Sequence, residues 1–380
     1  MLVFPALVLP LSARFDINLT SVIGFSFWMY LLFGLTALPW GIIADHIGAR
    51  PLFFIFYAGS GLSGIAASAG LDSEIILPLA LAALGFFSGI YHPVGLGLIS
   101  KEISRISLAM GYNGMFGNLG LGMAPLLTGL VNWLWGPKAV FLVLSGINFS
   151  GLLFLYFAPL SESPKAAKSL YQDKNKSLNV FLIMLVAMML GGLIYRGATI
   201  ITPAYFELNT KAVFNWFTIL FNGQISNNLL ATTTTSFIFL IGIMAQFTGG
   251  KLAEKIHPRY CYFLFHLITI PMAFLISKTS DLTLIACAAV YFFFLLGVQP
   301  SENTLVAGLV PQKFRHSAYG LKFILTFGVG AFAVQIVGLI QSTFGIRAVF
   351  QGLGSISMVL VTVILILIYQ LRQKPFLLES

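Results

Sequence analysis

The sequence predicts an all-α membrane protein: twelve transmembrane helices in two related six-helix halves, the first helix truncated at its N-terminal end. Three observations predict it. Hydrophobic residues make up 58% of the chain, charged residues 9%, and the mean hydropathy is +0.93, whereas a soluble domain carries roughly 25% charged residues. Apolar stretches of about the 20 residues that a bilayer crossing needs recur along the chain. A charged turn built from Gly41, Asp45, Gly48 and Arg50 returns in degenerate form as Gly250, Glu254 and Arg259, 250 − 41 = 209 positions later. In both copies an acid follows the glycine by four residues and an arginine follows the acid by five. A chain written twice around a charged turn is the pattern of a transporter built from two helical bundles.

In the first half the spans read as Met1 to Ala13, Thr20 to Ile43, Pro51 to Leu71, Ile75 to Ile99, Ile106 to Leu134 and Lys138 to Ala158. In the second they read as Leu178 to Phe206, Thr232 to Gly250, Tyr260 to Ser277, Leu282 to Leu309, His316 to Phe344 and Ile346 to Leu371. Residues 1–158 thus form one bundle and 178–380 the other, joined by a polar linker, 159–177, that carries Glu162, Lys165, Lys168, Asp173, Lys174 and Lys176. Only 13 residues precede Arg14, too few to cross a bilayer of ordinary thickness. A reading frame that begins too late is the expected reason. A signal peptide fits less well, because Leu2 follows Met1 directly and no basic region precedes the apolar core. Between the seventh and eighth spans, Glu207 to Ala231 includes Val213 to Phe221, too short to span and suited to lying flat at the interface, or to packing as an insertion on the rim.

Basic residues set the orientation. Alternate loops gather Arg50, Lys101, Arg105, Lys251, Lys255, Arg259, Lys313, Arg315, Arg372, Lys374 and the linker lysines on one side, and only Arg14, Lys138, Lys211, Lys278 and Arg347 on the other. The first side is assigned to the cytoplasm. Both termini are expected there, with the protein in the inner (plasma) membrane. The net charge of +9 is scattered singly through loops, so no nucleic-acid partner is implied. Cys261 and Cys287 both fall inside spans and suggest no disulfide framework. No phosphate-binding loop, metal-ligand spacing or nucleophile and base pair stands out, so no enzyme activity, cofactor or metal is expected. The expected partners are a small-molecule solute, protons as coupling ion and the lipid bilayer, with the chain acting as a monomer.

In the Gly41 to Arg50 turn, glycines let backbones approach, Asp45 near a helix terminus can cap amides or pair with a cation, and Arg50 anchors the next span in the anionic leaflet. Such a cluster can hold the cytoplasmic ends of the two halves together. A solvated hairpin that only sets topology is the simpler alternative. These residues resemble the G-x-x-x-D-x-x-G-x-R/K loop signature of the major facilitator superfamily, and the resemblance extends over the whole chain. It implies that fold, a central cavity lined by the first, fourth, seventh and tenth helices, and for Asp45 a part in stabilising the outward-open state. Gly111, Gly120, Ala124, Pro125, Thr128 and Gly129 in the fifth span look like the exporter motif of the family, G-x8-G-x3-G-P-x2-G-G, with two glycines replaced. The fourth span lacks the arginine usual in drug and proton antiporters; its Gly85 to Gly95 stretch, with Gly117 to Gly120, is similar to the fosmidomycin-resistance branch.

Ionisable groups inside spans are functional candidates because hydrocarbon makes them costly. His92 shares a small-residue face with Gly85, Ser88 and Gly89 and could exchange protons or donate one structural bond beside Pro93. Tyr91 adjoins it. In the tenth span Gln299, Glu302 and Asn303 form a polar stripe, and Tyr319, Lys322 and Thr326 form another in the eleventh. Glu302 and Lys322 could pair across these helices, or Lys322 could snorkel to the surface. Arg196, in the seventh span, could bind an anionic group in the cavity or snorkel outward. His266 reads as a packed or interfacial histidine, not a ligand. The function expected is proton-coupled export of a small organic molecule, the alternatives being uptake or exchange of an organic anion, or a non-transporting sensor or assembly protein that kept the fold.

Overall fold

The computed structural model describes residues 1–102, 106–157, 178–309 and 320–372, and among these there is helix and turn but no strand. The linker 159–177 lies outside the described residues, as do Tyr319, the side chains of Asp45 and Glu254 and the surroundings of Gly111. Among the described residues ten helical stretches are long and apolar enough to cross a membrane. One of them, Tyr112–Phe157, is two helices joined at Gly136, whose φ of 78° only glycine adopts freely. The first helix, Val3–Phe15, is about 20 Å long at 1.5 Å per residue. Many large apolar side chains point outward, among them Phe154, Phe157, Phe344 and Leu339, as expected where the surrounding solvent is lipid.

Many spans are broken, and the breaks have causes. The second comprises Leu19–Gly24, Phe27–Leu35 and Ala37–Ile47. The fourth comprises Ile76–Ser88 and Tyr91–Glu102, and the tenth Asp281–Gly297 and Gln299–Leu309. Pro93 and Pro300 stand at these two breaks; proline donates no amide hydrogen and its ring clashes with the carbonyl four residues earlier. The first segments of these two spans end at Gly89 and Val298, and 298 − 89 = 209, the spacing of the charged turns. Pro93 also lies against Gly41, and Pro300 against Gly250. Both halves therefore build the same local junction between their second and fourth helices. The eleventh span passes through a π-helical turn, Ile324–Gly328, and a 3-10 turn, Val329–Phe332, before Ala333–Phe344. Such irregular turns recur at functional sites.

The repeated turn is not copied in detail. Gly48 takes φ 83° between the second and third helices, whereas His257, at the equivalent place, has φ −53° and starts the ninth helix (Pro258–Lys278) as its N-cap with Pro258 following. Without glycine the left-handed turn is costly, so a proline-led start replaces it. The third and sixth helices run antiparallel, with Ser68 bonded to the Lys138 carbonyl at one end and Arg50 to the Tyr156 carbonyl at the other. Between the seventh helix (Leu178–Asn209) and the eighth (Asn227–Lys255), a short helix, Lys211–Leu220, forms. Its Trp216, Ile219 and Leu220 are exposed, and Asp281 accepts bonds from the Ala212 and Val213 amides at its start.

Candidate solute pathway between the two halves

The halves meet chiefly where the second helix packs on the eleventh and the fifth on the eighth, and the first helix also packs on the seventh. At Gly34 an added Cβ would stand 2.0 Å from the Gly328 nitrogen, so the second and eleventh helices touch backbone to backbone. Gly122 and Gly129 play the same part against Leu240 and Thr232 of the eighth helix. Of the exporter-like set, Gly129 is thus tightly packed while Gly120 faces open space. Pro125 sits inside the continuing helix.

The end assigned to the outside is fastened across the halves. Asn228 donates to the Ala6 carbonyl at 3.0 Å and to Glu207 Oε2 at 3.0 Å, and accepts from Asn132 at 3.2 Å. Thr20 donates to Gln341 and to the Gly338 carbonyl, at 2.5 and 3.1 Å. Ser236 Oγ accepts from the Leu126 amide at 2.7 Å. None of these residues stood out in the sequence, because asparagine and threonine near helix ends are common and their partners lie up to 321 positions away.

Deeper in, Arg196 lies over the face of Tyr30, its guanidinium carbon 3.8 Å from the ring centroid, with Phe327 at 5.9 Å. It is 4% exposed and its Nε has no hydrogen-bond partner. The side chain neither reaches the outer surface nor meets a carboxylate among the described residues. Tyr30 in turn donates to the Met1 carbonyl at 3.2 Å. Phe327 connects Arg196 to His92, whose ring packs among Phe33, Tyr91, Phe323 and Phe327 at centroid distances of 5.1 to 5.7 Å counting the Phe33–Phe327 contact. His92 therefore stands at the junction of helices from both halves. Tyr91 is exposed and donates to Asn113 at 3.0 Å.

The third group lies in the second half. Lys322 Nζ is 2.7 Å from Glu302 Oε1 and 2.5 Å from Asn303 Oδ1, with Glu302 and Lys322 both buried. Tyr262 completes the carboxylate at 3.2 Å. Lys322 thus turns to the tenth helix instead of snorkelling. Gln299 accepts from Gln246 at 3.3 Å, in the same half. His266 packs edge-on against Tyr262 at 4.9 Å, and neither ring nitrogen has a partner among the described residues. Tyr262 was not singled out in the sequence, although it and His266 are four residues apart and so share one helix face.

The described contacts of the charged turns stay within each half. Arg50 binds the end of the sixth helix, where a carbonyl terminus favours a cation. Arg259 lies 5.0 Å over Tyr260, and its backbone amide is capped by His257 at 3.4 Å.

Broken helices, a glycine-mediated crossing between halves and buried polar groups at that crossing define a multi-span membrane protein of transporter type. Residues 1–321 match the family model described as Major Facilitator Superfamily, and the chain belongs to that superfamily. Among solved structures, the nucleoside transporter NupG, as a point mutant, is similar with TM-score 0.74 and 14% identity over 96% of this chain and 94% of that one. A bacterial homologue of the human lysosomal transporter Spinster is similar in two inward-facing forms. The occupied form gives TM-score 0.67 and 15% identity over 96% and 93% of the two chains. The unoccupied form gives 0.67 and 16% over 96% and 92%. Among curated proteins no sequence matches this chain.

Proposed function

We propose that this protein is a secondary active transporter that exports a small organic molecule across the inner membrane in exchange for protons, by alternating access. Superfamily membership supports transport itself. The observation that carries proton coupling is the buried Glu302–Lys322 pair, with Tyr262 on the carboxylate. Taking two charges out of water costs several kcal/mol per ion, and apolar residues would pack there as well or better. A pair retained against that cost suits a group that changes charge during the cycle.

Protonating Glu302 removes the counter-charge of Lys322. Lys322 stands just before the π-helical turn of the eleventh helix, and that turn packs on Phe33 and Gly34 of the other half. A change in the pair is thereby passed to the contact that must rearrange when the halves rock. The bonds from Asn228 and Thr20 close the outer end in the state described, and their release opens it. His92, between Phe33 and Phe327, is a second candidate for proton transfer. The arginines at 50 and 259, with Asp45 and Glu254, serve the inner gates.

The exporter-like segment supports outward flux, with Gly122 and Gly129 giving the close fifth-to-eighth helix packing that such a segment provides. Uptake or exchange of an organic anion is the second reading, favoured by the unpaired Arg196. Counterflow in liposomes holding the full chain tests transport. A proton-driven exporter accumulates solute under an imposed pH gradient and loses that accumulation when a protonophore is added; accumulation that survives refutes the coupling. Replacing His92 by glutamine shows whether it shares in proton transfer.

A further inference from the structure

The side chains that bear charge in the middle of the spans, among the described residues, are Arg196, Glu302 and Lys322. Glu302 and Lys322 neutralise each other at 2.7 Å. The remaining charge is one guanidinium, 4% exposed, with Nε unpartnered. A buried cation without a counter-ion is costly in hydrocarbon. Among the described residues Tyr30, its ring at 3.8 Å, is the main compensation, with Phe327 farther off at 5.9 Å, and a cation over a ring recovers about 2 kcal/mol when desolvated. That falls well short of a bidentate carboxylate.

The position of the partners matters as much as the charge. Arg196 belongs to one half and Tyr30 to the other, so the stack is lost whenever the halves part at that level. Its planar fork then needs an anion. Around it stand rings: Tyr30 and Phe327 flank the guanidinium, and Phe33, Phe323 and His92 continue the aromatic wall. One unpaired positive charge matches one negative charge, and a ring-lined wall matches a flat apolar body.

We propose that Arg196 is the receptor for a single carboxylate-type monoanion on the transported molecule, whose apolar, preferably aromatic, body lies against Tyr30 and Phe327. This rests on the transport reading above and names its substrate class. Tyr30 holds the guanidinium in the closed state and yields it to the solute in the open one.

The test is binding, followed as the shift in unfolding temperature of the purified full chain. The probes are benzoate, phenylacetate and 3-phenylpropionate, each against its neutral amide. At least one acid is expected to raise the unfolding temperature saturably while its amide does not. Arg196→Gln is expected to weaken that acid by at least about thirtyfold, as for removing one partner of a buried charge pair. Stabilisation by no acid, equal stabilisation by acid and amide, or an unchanged response in Arg196→Gln overturns the proposal. Should Arg196→Gln not fold, Arg196→Lys carries the test: a point charge without the fork is expected to weaken the acid about tenfold yet keep its preference over the amide, and an unchanged affinity for the acid overturns the assignment. Counterflow of neutral solutes with no acid binding sinks this site alone, whereas acid binding without any counterflow leaves the site and sinks the transport reading.

Discussion

Replacing Asn228 by alanine should loosen the end of the molecule assigned to the outside by a predictable amount. The side chain makes two bonds across the halves, to the Ala6 carbonyl at 3.0 Å and from Asn132 at 3.2 Å, and a third to Glu207 within its own half. Only the first two differ between a closed and an open outer end. At about 0.5–1.5 kcal/mol net per hydrogen bond, their loss removes about 1–3 kcal/mol of preference for the closed state. That corresponds to about a 5- to 150-fold rise in the ratio of open to closed molecules. Spin labels at Trp135 and Phe221, both exposed and on opposite halves near this end, report the distance distribution by pulsed electron resonance. Wild type should give mainly one short distance, and Asn228→Ala should add a longer component in that ratio. An unchanged distribution in a folded variant would show that these bonds do not hold the end shut.

Other consequences follow from the same contacts. Gly34→Ala places a methyl carbon 2.0 Å from the Gly328 backbone nitrogen, which cannot swing aside, so thermal unfolding should show a loss of about 1–3 kcal/mol or more; Gly120→Ala, in open space, should stay within about 0.5 kcal/mol. Glu302→Gln leaves Lys322 buried without its counter-charge and should cost about 3–5 kcal/mol, with much of it regained in the double variant Glu302→Gln with Lys322→Met; equal stability of single and double variants in thermal unfolding would contradict the pairing. The Lys138 hydrogen bond, and then Arg14, hold the Asp72 carboxyl below its usual 3.8. Its contribution to stability is therefore fully present above the unfolded-state value and is lost as pH falls below it through the folded-state value. Asp72→Asn should lower stability at neutral pH and flatten the acid limb of a stability-against-pH curve below about pH 4; an acid limb of unchanged slope would refute the linkage.

The membrane class and the duplicated layout were legible because they depend on local properties, span hydrophobicity and a motif spaced 209 positions from its copy. Pro93 marked a bend beside His92, since proline acts on its own helix, whereas its twin at Pro300 was not read from the sequence. What escaped the reading depends on side chains meeting across the fold. Asn228 and Thr20 carry no sequence mark that separates them from ordinary polar residues at helix ends. Arg196 was visible as a costly intramembrane cation, yet its stacking on Tyr30 arises only when the seventh helix meets the second. The Glu302–Lys322 pair lay between, since each side chain was conspicuous and the polar stripes on adjacent helices suggested a meeting. His266 read as a packed histidine, and its packing on Tyr262 agrees with that, while its unpartnered nitrogens were beyond what one helix face could reveal.

Proton movement recorded together with solute movement tests the central claim most directly. Liposomes carrying the full chain and a trapped pH indicator, given a solute identified by counterflow, should show proton flux opposite to solute flux in a fixed ratio. In Glu302→Gln, paired with Lys322→Met to retain the fold, solute should still exchange while the proton flux disappears. Solute movement in wild type with no pH change, or a double variant that moves protons as wild type does, would contradict the assignment of coupling to this buried pair.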